Sequence, residues 1–330
     1  MATRSHGVIR CSLPAVSETV GVDVGGTKVS VAVLRDGELG RPVIRPTRTG
    51  GADELIAEIV AGVEEVRSPQ TEAVGLGVPS VVDFASGRLR SSVNVPFEDL
   101  PLREVLGERL GLPVFIDNDA TVAALAEAFD GKRIGVDSLV MFTVGTGVGG
   151  GLVLNGRVYR GKTGAAAELG HTLIGLDLTA GAPPATDFPQ AGSLESLASG
   201  SELDRLAQAA AAAEPDSALG RRAAAGEEVG GPDAVEAAFA GDQVAIDLIR
   251  ILGERLGIGI ASAINALDPE VVAIGGGASA AGELLLEPAR RTAFAYVLPG
   301  VGTETEIRLA RRGPEAGVLG AALLAATEGA

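Results

Sequence analysis

The feature that most narrows the fold of this chain is a pattern written twice. Residues 19–39, TVGVDVGGTKVSVAVLRDGEL, read as a strand, a glycine turn and a second strand with valines alternating at 29, 31 and 33, closed by an Asp36-Gly37 hairpin. About 120 residues further on, LVMFTVGTGVGGGLVLNGRV (139–158) repeats the order and closes on Asn155-Gly156. Val24 to Gly37 aligns with Val144 to Gly156 with a one-residue difference in length, so two lobes on one plan are expected. Short β-rich runs at 73–79 and 113–117 alternate with helical stretches at 52–67, 102–111 and 119–130, which makes each lobe a mixed sheet covered by helices. A length of 330 residues leaves room for an ample core.

The glycine turns carry the first functional expectation. Backbone without side chains can approach an oxyanion, and successive amides in such a turn form a nest for phosphate; the plain alternative is a hairpin turn. Asp23-Val24-Gly25-Gly26-Thr27-Lys28 adds a carboxylate, a hydroxyl and an ammonium, a set suited to phosphate and hydrated Mg²⁺. Gly145-Thr146-Gly147-Val148-Gly149-Gly150-Gly151 is its counterpart. Neither is a Walker turn, and the first does not open into a helix as the dinucleotide fingerprint does. A third patch, Gly275-Gly276-Gly277, lies between a strand at 270–274 and a helix from about 280; it is either a close strand-to-helix turn or backbone that lets an adenosine ring pass.

A second stretch poses a question of surplus charge. VFIDNDATVAALAEAF (114–129) runs a strand into Asp117, Asn118 and Asp119 and leaves as an alanine-rich helix. One polar residue suffices to cap the first helical turn, so a second carboxylate is either structural or chemical.

Bulk charge excludes whole classes of partner. Forty-three acidic against twenty-seven basic side chains give −16, which repels nucleic acid and anionic lipid. The lone Cys11 allows neither an internal disulfide nor a thiolate zinc site, as suits a reducing cytosol. The first 18 residues read as a loose tail without the apolar run of a signal sequence, and no segment approaches the ~20 uncharged apolar residues of a membrane span. A soluble cytoplasmic protein is expected. The alanines at 209–213 read as part of a surface helix.

Taken in order, Asp23-x-Gly-Gly-Thr-Lys28, Asn118-Asp119-Ala120, the 145–151 turn, Glu168-Leu-Gly-His171 and Gly275-Gly-Gly277 resemble the motifs of the ROK family of sugar kinases, over residues 19 to about 327. The resemblance implies an α/β, actin-like ATPase (ribonuclease H-like) fold whose two lobes surround a central cleft for ATP and sugar. Residues 19–118 with about 312–330 would form the small lobe and 119–311 the large one. The implied activity is ATP-dependent phosphorylation of a hexose 6-hydroxyl, with glucose first. Fructose, mannose or an N-acetylhexosamine remain open as substrates, polyphosphate as donor, and a non-catalytic sugar sensor as the alternative. The resemblance assigns Asp119 as general base, and Asn118, Asp119, Glu168, His171 and Glu195 as ligands of sugar hydroxyls. Gly25, Gly26, Thr27, Lys28, Gly145, Thr146, Gly147, Gly149, Gly150, Gly276 and Gly277 would hold ATP, and Asp23 would order Mg²⁺ through water. Asn94, in Asn94-Val-Pro96, resembles a family loop near the sugar and equally suits any turn. A homodimer or homotetramer is also implied.

One departure from the family pattern stands out. Its C-x-C-G-x-x-G-C-x-E corresponds here to TDFPQAGSLE (186–195), which keeps Glu195 but has Thr186, Phe188 and Ser193 for the three cysteines. Only His171 is left of four donors, so no structural zinc is expected. Repressor members carry a DNA-binding region before the first turn; 22 residues precede Asp23 here, which points to the enzyme branch. The small apolar residues of 316–326 are expected to form a final helix packed back on the first lobe.

Overall fold

A computed structural model describes residues 18–92 and 95–329, apart from the side chains of 91 and 92. The expected tail up to residue 17, Cys11 and Asn94 lie outside the described residues. In chain order the strands are β1 (Glu18–Val24), β2 (Lys28–Arg35), β3 (Glu38–Leu39), β4 (Val43–Pro46), β5 (Thr71–Val78), β6 (Ser80–Asp83), β7 (Arg88–Ser92), β8 (Val114–Asn118), β9 (Ser138–Val144), β10 (Val148–Leu154), β11 (Arg157–Val158), β12 (Val271–Gly275) and β13 (Glu306–Leu309). The helices are α1 (Ala52–Val66), α2 (Leu102–Leu110), α3 (Asp119–Ala128), α4 (Leu194–Ala198), α5 (Gly200–Ala213), α6 (Ala218–Ala224), α7 (Gly231–Phe239), α8 (Gln243–Leu267), α9 (Glu283–Tyr296) and α10 (Ala316–Glu328).

The chain divides into two compact units. One comprises the described residues up to Met141, Gly151–Ala167 and those from Arg311 onward; the other comprises Phe142–Gly150 and Glu168–Ala310. This division differs from the expected break at 118–119, because α3 packs with α10 and so belongs to the unit that holds β1. Residue 18 also leaves the expected tail. Glu18 opens β1 with a buried carboxylate that accepts hydrogen bonds from Ser68 Oγ at 2.6 Å, Thr71 Oγ1 at 2.7 Å and Arg35 Nε at 2.8 Å.

In the first unit the sheet order is β3-β2-β1-β5-β8, with β4 also on β2. The β1–β2 pair is antiparallel and β1, β5 and β8 are parallel. Parallel neighbours need both faces covered, so β1 and β5 read as near-continuous apolar runs. On one face the cover includes α1, whose Leu55, Ile56, Ile59 and Val63 recur at helical spacing and are buried. The other face receives α10, the expected final helix. Gly21 and Gly75 are register partners, and a Cβ on either would stand within 2.0 Å of a backbone carbonyl of α10. Side-chain-free positions on adjacent strands therefore form the shelf on which that helix rests, and Thr19 Oγ1 donates to Ala322 O at 2.9 Å.

The second sheet has the order β11-β10-β9-β12-β13, with β12 and β13 parallel. In the second unit α8 packs against α9, α7, α5 and α4. The alanines 209–213 close α5, and the apolar stretch that begins near 256 divides between α8 and β12. Among the described residues no helix is long and apolar enough to cross a membrane.

Candidate active site

Strand register sets the first half of the site. Asp23 pairs with Gly77, and Gly77 with Asp117, across three parallel strands. Asp23, Gly77 and Asp117-Asn118 thus share the carboxyl edge of β1, β5 and β8, the edge where open α/β sheets bind ligands. Gly77 brings no side chain between the flanking acids. Asn118 is the N-cap of α3: its Oδ1 accepts from Ala120 N at 2.9 Å and Thr121 N at 3.2 Å. Asp119 is consequently the first helical residue, half-buried, with Oδ1 accepting from Ala120 N at 2.8 Å.

The question of the two aspartates resolves by burial. Asp117 is 1 % exposed and its Oδ2 accepts from Arg160 Nε at 2.6 Å. Burial outweighs the arginine and holds the Asp117 pKa above the ordinary carboxylate range. Asp117 is therefore the structural acid, and Asp119 is the one left with exposed surface.

Asp23 has a different environment. Its carboxylate lies against the first turn of α10, so close that a Cβ on Gly317 would stand 2.4 Å from its Cγ. It has no hydrogen-bond partner among the described residues. Burial, reinforced by the Asp119 carboxylate and opposed by Lys28, pushes its pKa up to about 6. An unpartnered acid beside an exposed hydroxyl and ammonium fits a hydrated divalent cation, which would supply the missing positive charge. The adjoining turn is open: Gly26, Thr27 and Lys28 are exposed, Gly25 N donates to Lys28 O at 2.9 Å, and Thr47 Oγ1 ties down Gly25 O at 2.6 Å.

The second unit holds the remaining residues. Gly145 N donates to Gly147 O at 2.9 Å to close a tight turn, with Thr146 at its exposed tip. Gly200 N reaches Gly145 O at 2.7 Å and Ser201 Oγ reaches Thr146 O at 2.8 Å, so the start of α5 buttresses the turn. Gly149 and Gly150, expected in the turn, are instead strand residues of β10. Gly276 sits at φ +83°, where a Cβ would fall 2.4 Å from Val144 O, and Gly277 opens a short 3₁₀ turn. Glu195, in the first turn of α4, accepts from Val148 N at 2.7 Å through Oε2. That bond joins an expected sugar ligand to the end of the glycine turn.

Glu168 and His171 lie on a 3₁₀ turn, both with exposed surface, with His171 Nε2 3.9 Å from Glu168 Oε2. Ala167 just before them has φ +68°, a conformation that costs a non-glycine residue about 1–2 kcal/mol. The three positions that depart from the family's cysteine pattern are filled by protein contacts. Phe188 meets the His171 ring edge-on at 5.3 Å, Ser193 is buried and caps α4 through Ser196 N, and Thr186 Oγ1 accepts from Ala191 N at 3.3 Å. This donor set does not fit tetrahedral zinc. Arg160, the Glu195–Val148 bond and the Phe188 contact escape sequence reasoning; the only local signal was an isolated arginine after the second hairpin.

A fold of this kind, with glycine turns and an acid at a helix start, is that of the actin-like phosphotransferases. The chain matches the ROK family over residues 19–328 and belongs to it. It is 35% identical to a glucokinase of Halalkalibacterium halodurans, over 91% of this chain and 92% of that one. Its structure superposes on a ROK family glucokinase from Streptomyces griseus, in complex with glucose and AMPPNP, with a TM-score of 0.77 at 33% identity, covering 93% and 99% of the two chains. A ROK hexokinase from Thermus thermophilus gives 0.72 at 36% identity, covering 93% and 97%.

Proposed function

We propose that this chain is an ATP-dependent hexokinase that phosphorylates the 6-hydroxyl of glucose. The observation that carries the reading is the placement of Asp119. It stands at the head of α3, on the carboxyl edge of three parallel strands, in the electrostatic field of Asp23. Phosphoryl transfer through a loose, metaphosphate-like transition state needs positioning and charge neutralisation more than covalent help.

The roles follow from the local chemistry. Asp119 takes the proton of the attacking hydroxyl as the new O–P bond forms and the bond to the departing ADP oxygen breaks. Asn118, Glu168, His171 and Glu195 hold the other sugar hydroxyls; Glu195 keeps Oε1 for this, since Oε2 is engaged by Val148 N. Residues 25–28 and 145–147 present backbone and hydroxyl to the phosphates, and Gly276-Gly277 gives room at the adenosine. Asp23 would hold Mg²⁺ through water. Bound there, the ion would supply positive charge to offset that of the phosphates. Identity of about a third with glucokinases over nine-tenths of the chain supports glucose as acceptor.

ADP release measured over a hexose panel, with ATP and with polyphosphate, tests the reading. Glucose with ATP is expected to give the highest kcat/KM, and Asp119→Asn to lose on the order of 10²- to 10⁴-fold in kcat. A 32% identical N-acetyl-D-glucosamine kinase of Pasteurella multocida makes that sugar the informative competitor. Sugar-dependent thermal stabilisation without turnover on any hexose would instead favour a sensor.

A further inference from the structure

Asp117 is more than a strand end, because its two oxygens do separate things. Oδ2 accepts from Arg160 Nε at 2.6 Å, and Oδ1 accepts from Asn118 N at 2.9 Å. The side chain of that same Asn118 caps α3 and so fixes where Asp119 begins. Arg160 is held in turn. Its guanidinium lies 3.6 Å from the centroid of the Phe84 ring, and Nη2 is 3.0 Å from Glu328 Oε1 at the end of α10. Phe84 is anchored by Arg103, which donates to the carbonyls of Phe84 and Ala85. The side chains of the arginine and the aspartate are 16 % and 2 % exposed, so the pair is shielded from salt and from competing water.

Only a planar guanidinium does both jobs here. It can stack on the ring while an in-plane N–H meets the carboxylate; an ammonium on a flexible stem cannot. Removing the arginine leaves a buried carboxylate without its charge partner, and that carboxylate is the acceptor that orients the Asn118 amide.

We infer that Arg160 is a positioning residue for phosphoryl transfer: through Asp117 it holds the peptide at Asn118, and thereby the start of α3 and the angle of Asp119. The inference rests on the proposed hexokinase reading. A misplacement of about 1 Å at a reacting group is worth on the order of 10²-fold in rate, so a small rotation at Asn118 is enough to register.

The test compares Arg160→Lys, Arg160→Gln, Asp117→Asn and the double variant Asp117→Asn/Arg160→Gln in the full chain. Arg160→Lys is expected to fold and to lose on the order of 10²-fold in kcat while KM for ATP stays within about twofold. The double variant should be no slower than the slower single one, since both act through one contact. Hydrogen exchange of the Ala120 and Thr121 amides should quicken in Arg160→Lys, a readout that needs no turnover. If Arg160→Lys keeps the wild-type kcat and the wild-type exchange rates, the inference is overturned. Losses that add in the double variant overturn it as well. Should Arg160→Gln fail to fold, Arg160→Lys decides alone. Absence of hexose turnover in the wild-type chain would refute the hexokinase reading, while quickened exchange at Ala120 and Thr121 would still uphold the mechanical link.

Discussion

The two glycine turns share a sequence plan but use their glycines for opposite purposes. At 25–28 the space is open to solvent, and the nearby carboxylate, Asp23, has no hydrogen-bond partner among the described residues. At 145–147 Gly145 is likewise open, but the space beside Gly147 is already filled. A Cβ on Gly147 would stand 2.3 Å from Glu195 Oε2, and Gly276 lies against the backbone of Val144. In the first turn the missing side chains leave backbone exposed; at Gly147 the missing side chain lets protein press against protein. Two motifs that look alike in letters therefore differ in which substitution breaks them.

The largest effect is expected at Gly276. Alanine there must adopt φ +83° and overlap the Val144 backbone at 2.4 to 2.6 Å, neither of which a flexible side chain can relieve. Backbone strain and overpacking together should cost roughly 3–5 kcal/mol. Gly276→Ala is expected to lower Tm by about 10 °C or to abolish soluble expression, as thermal unfolding would report. A wild-type Tm would mean that the close approach is not required.

Gly147→Ala tests the filled turn on function instead of folding. The added methyl must evict the Glu195 carboxylate and break its bond to Val148 N, so one change disturbs the proposed sugar ligand and the proposed phosphate turn together. We expect kcat/KM to fall about 10²-fold, with KM rising for both glucose and ATP. The same change at Gly25 meets only Lys28 O at 3.2 Å, a contact that a shift of a few tenths of an ångström relieves. Its effect on glucose KM should stay within about threefold. Equal losses at the two positions would erase the distinction between them.

What was legible in the sequence follows this same division. The repeated strand–turn–strand, the helices at 52–67, 102–111 and 119–130, and the helix start at Asn118-Asp119 are local patterns of period, cap and turn, which neighbouring residues specify among themselves. Contacts that link remote positions leave no such pattern. Arg160 meets Asp117 across 43 residues and Val148 meets Glu195 across 47, and no propensity or spacing announces either. Gly149 and Gly150 show the converse limit. A run of glycines reads as a turn, yet sheet pairing places both in β10. The division into units escaped for a similar reason, since the packing of α3 on α10 pairs segments almost 200 residues apart.

The smallest expected effect is the one that isolates charge at the open turn. Asp23 ordinarily has a pKa of 3.8, and burial, with the Asp119 carboxylate, raises it to about 6 in the folded chain. Between those values the folded chain keeps a proton that the unfolded chain has released. Stability therefore declines as pH rises through the window, and the deficit is complete above about pH 6. Asp23→Asn removes the charge at nearly constant shape, so Tm should rise by roughly 3 °C at pH 7.5 and the gain should vanish as pH falls toward 4. Added Mg²⁺ and ATP should stabilise the parent more than the variant, because the cation offsets the penalty only where the carboxylate is present. A gain in Tm that is the same at both pH values would show that shape, not charge, governs this position. The open turn would then be no more electrostatically poised than the filled one.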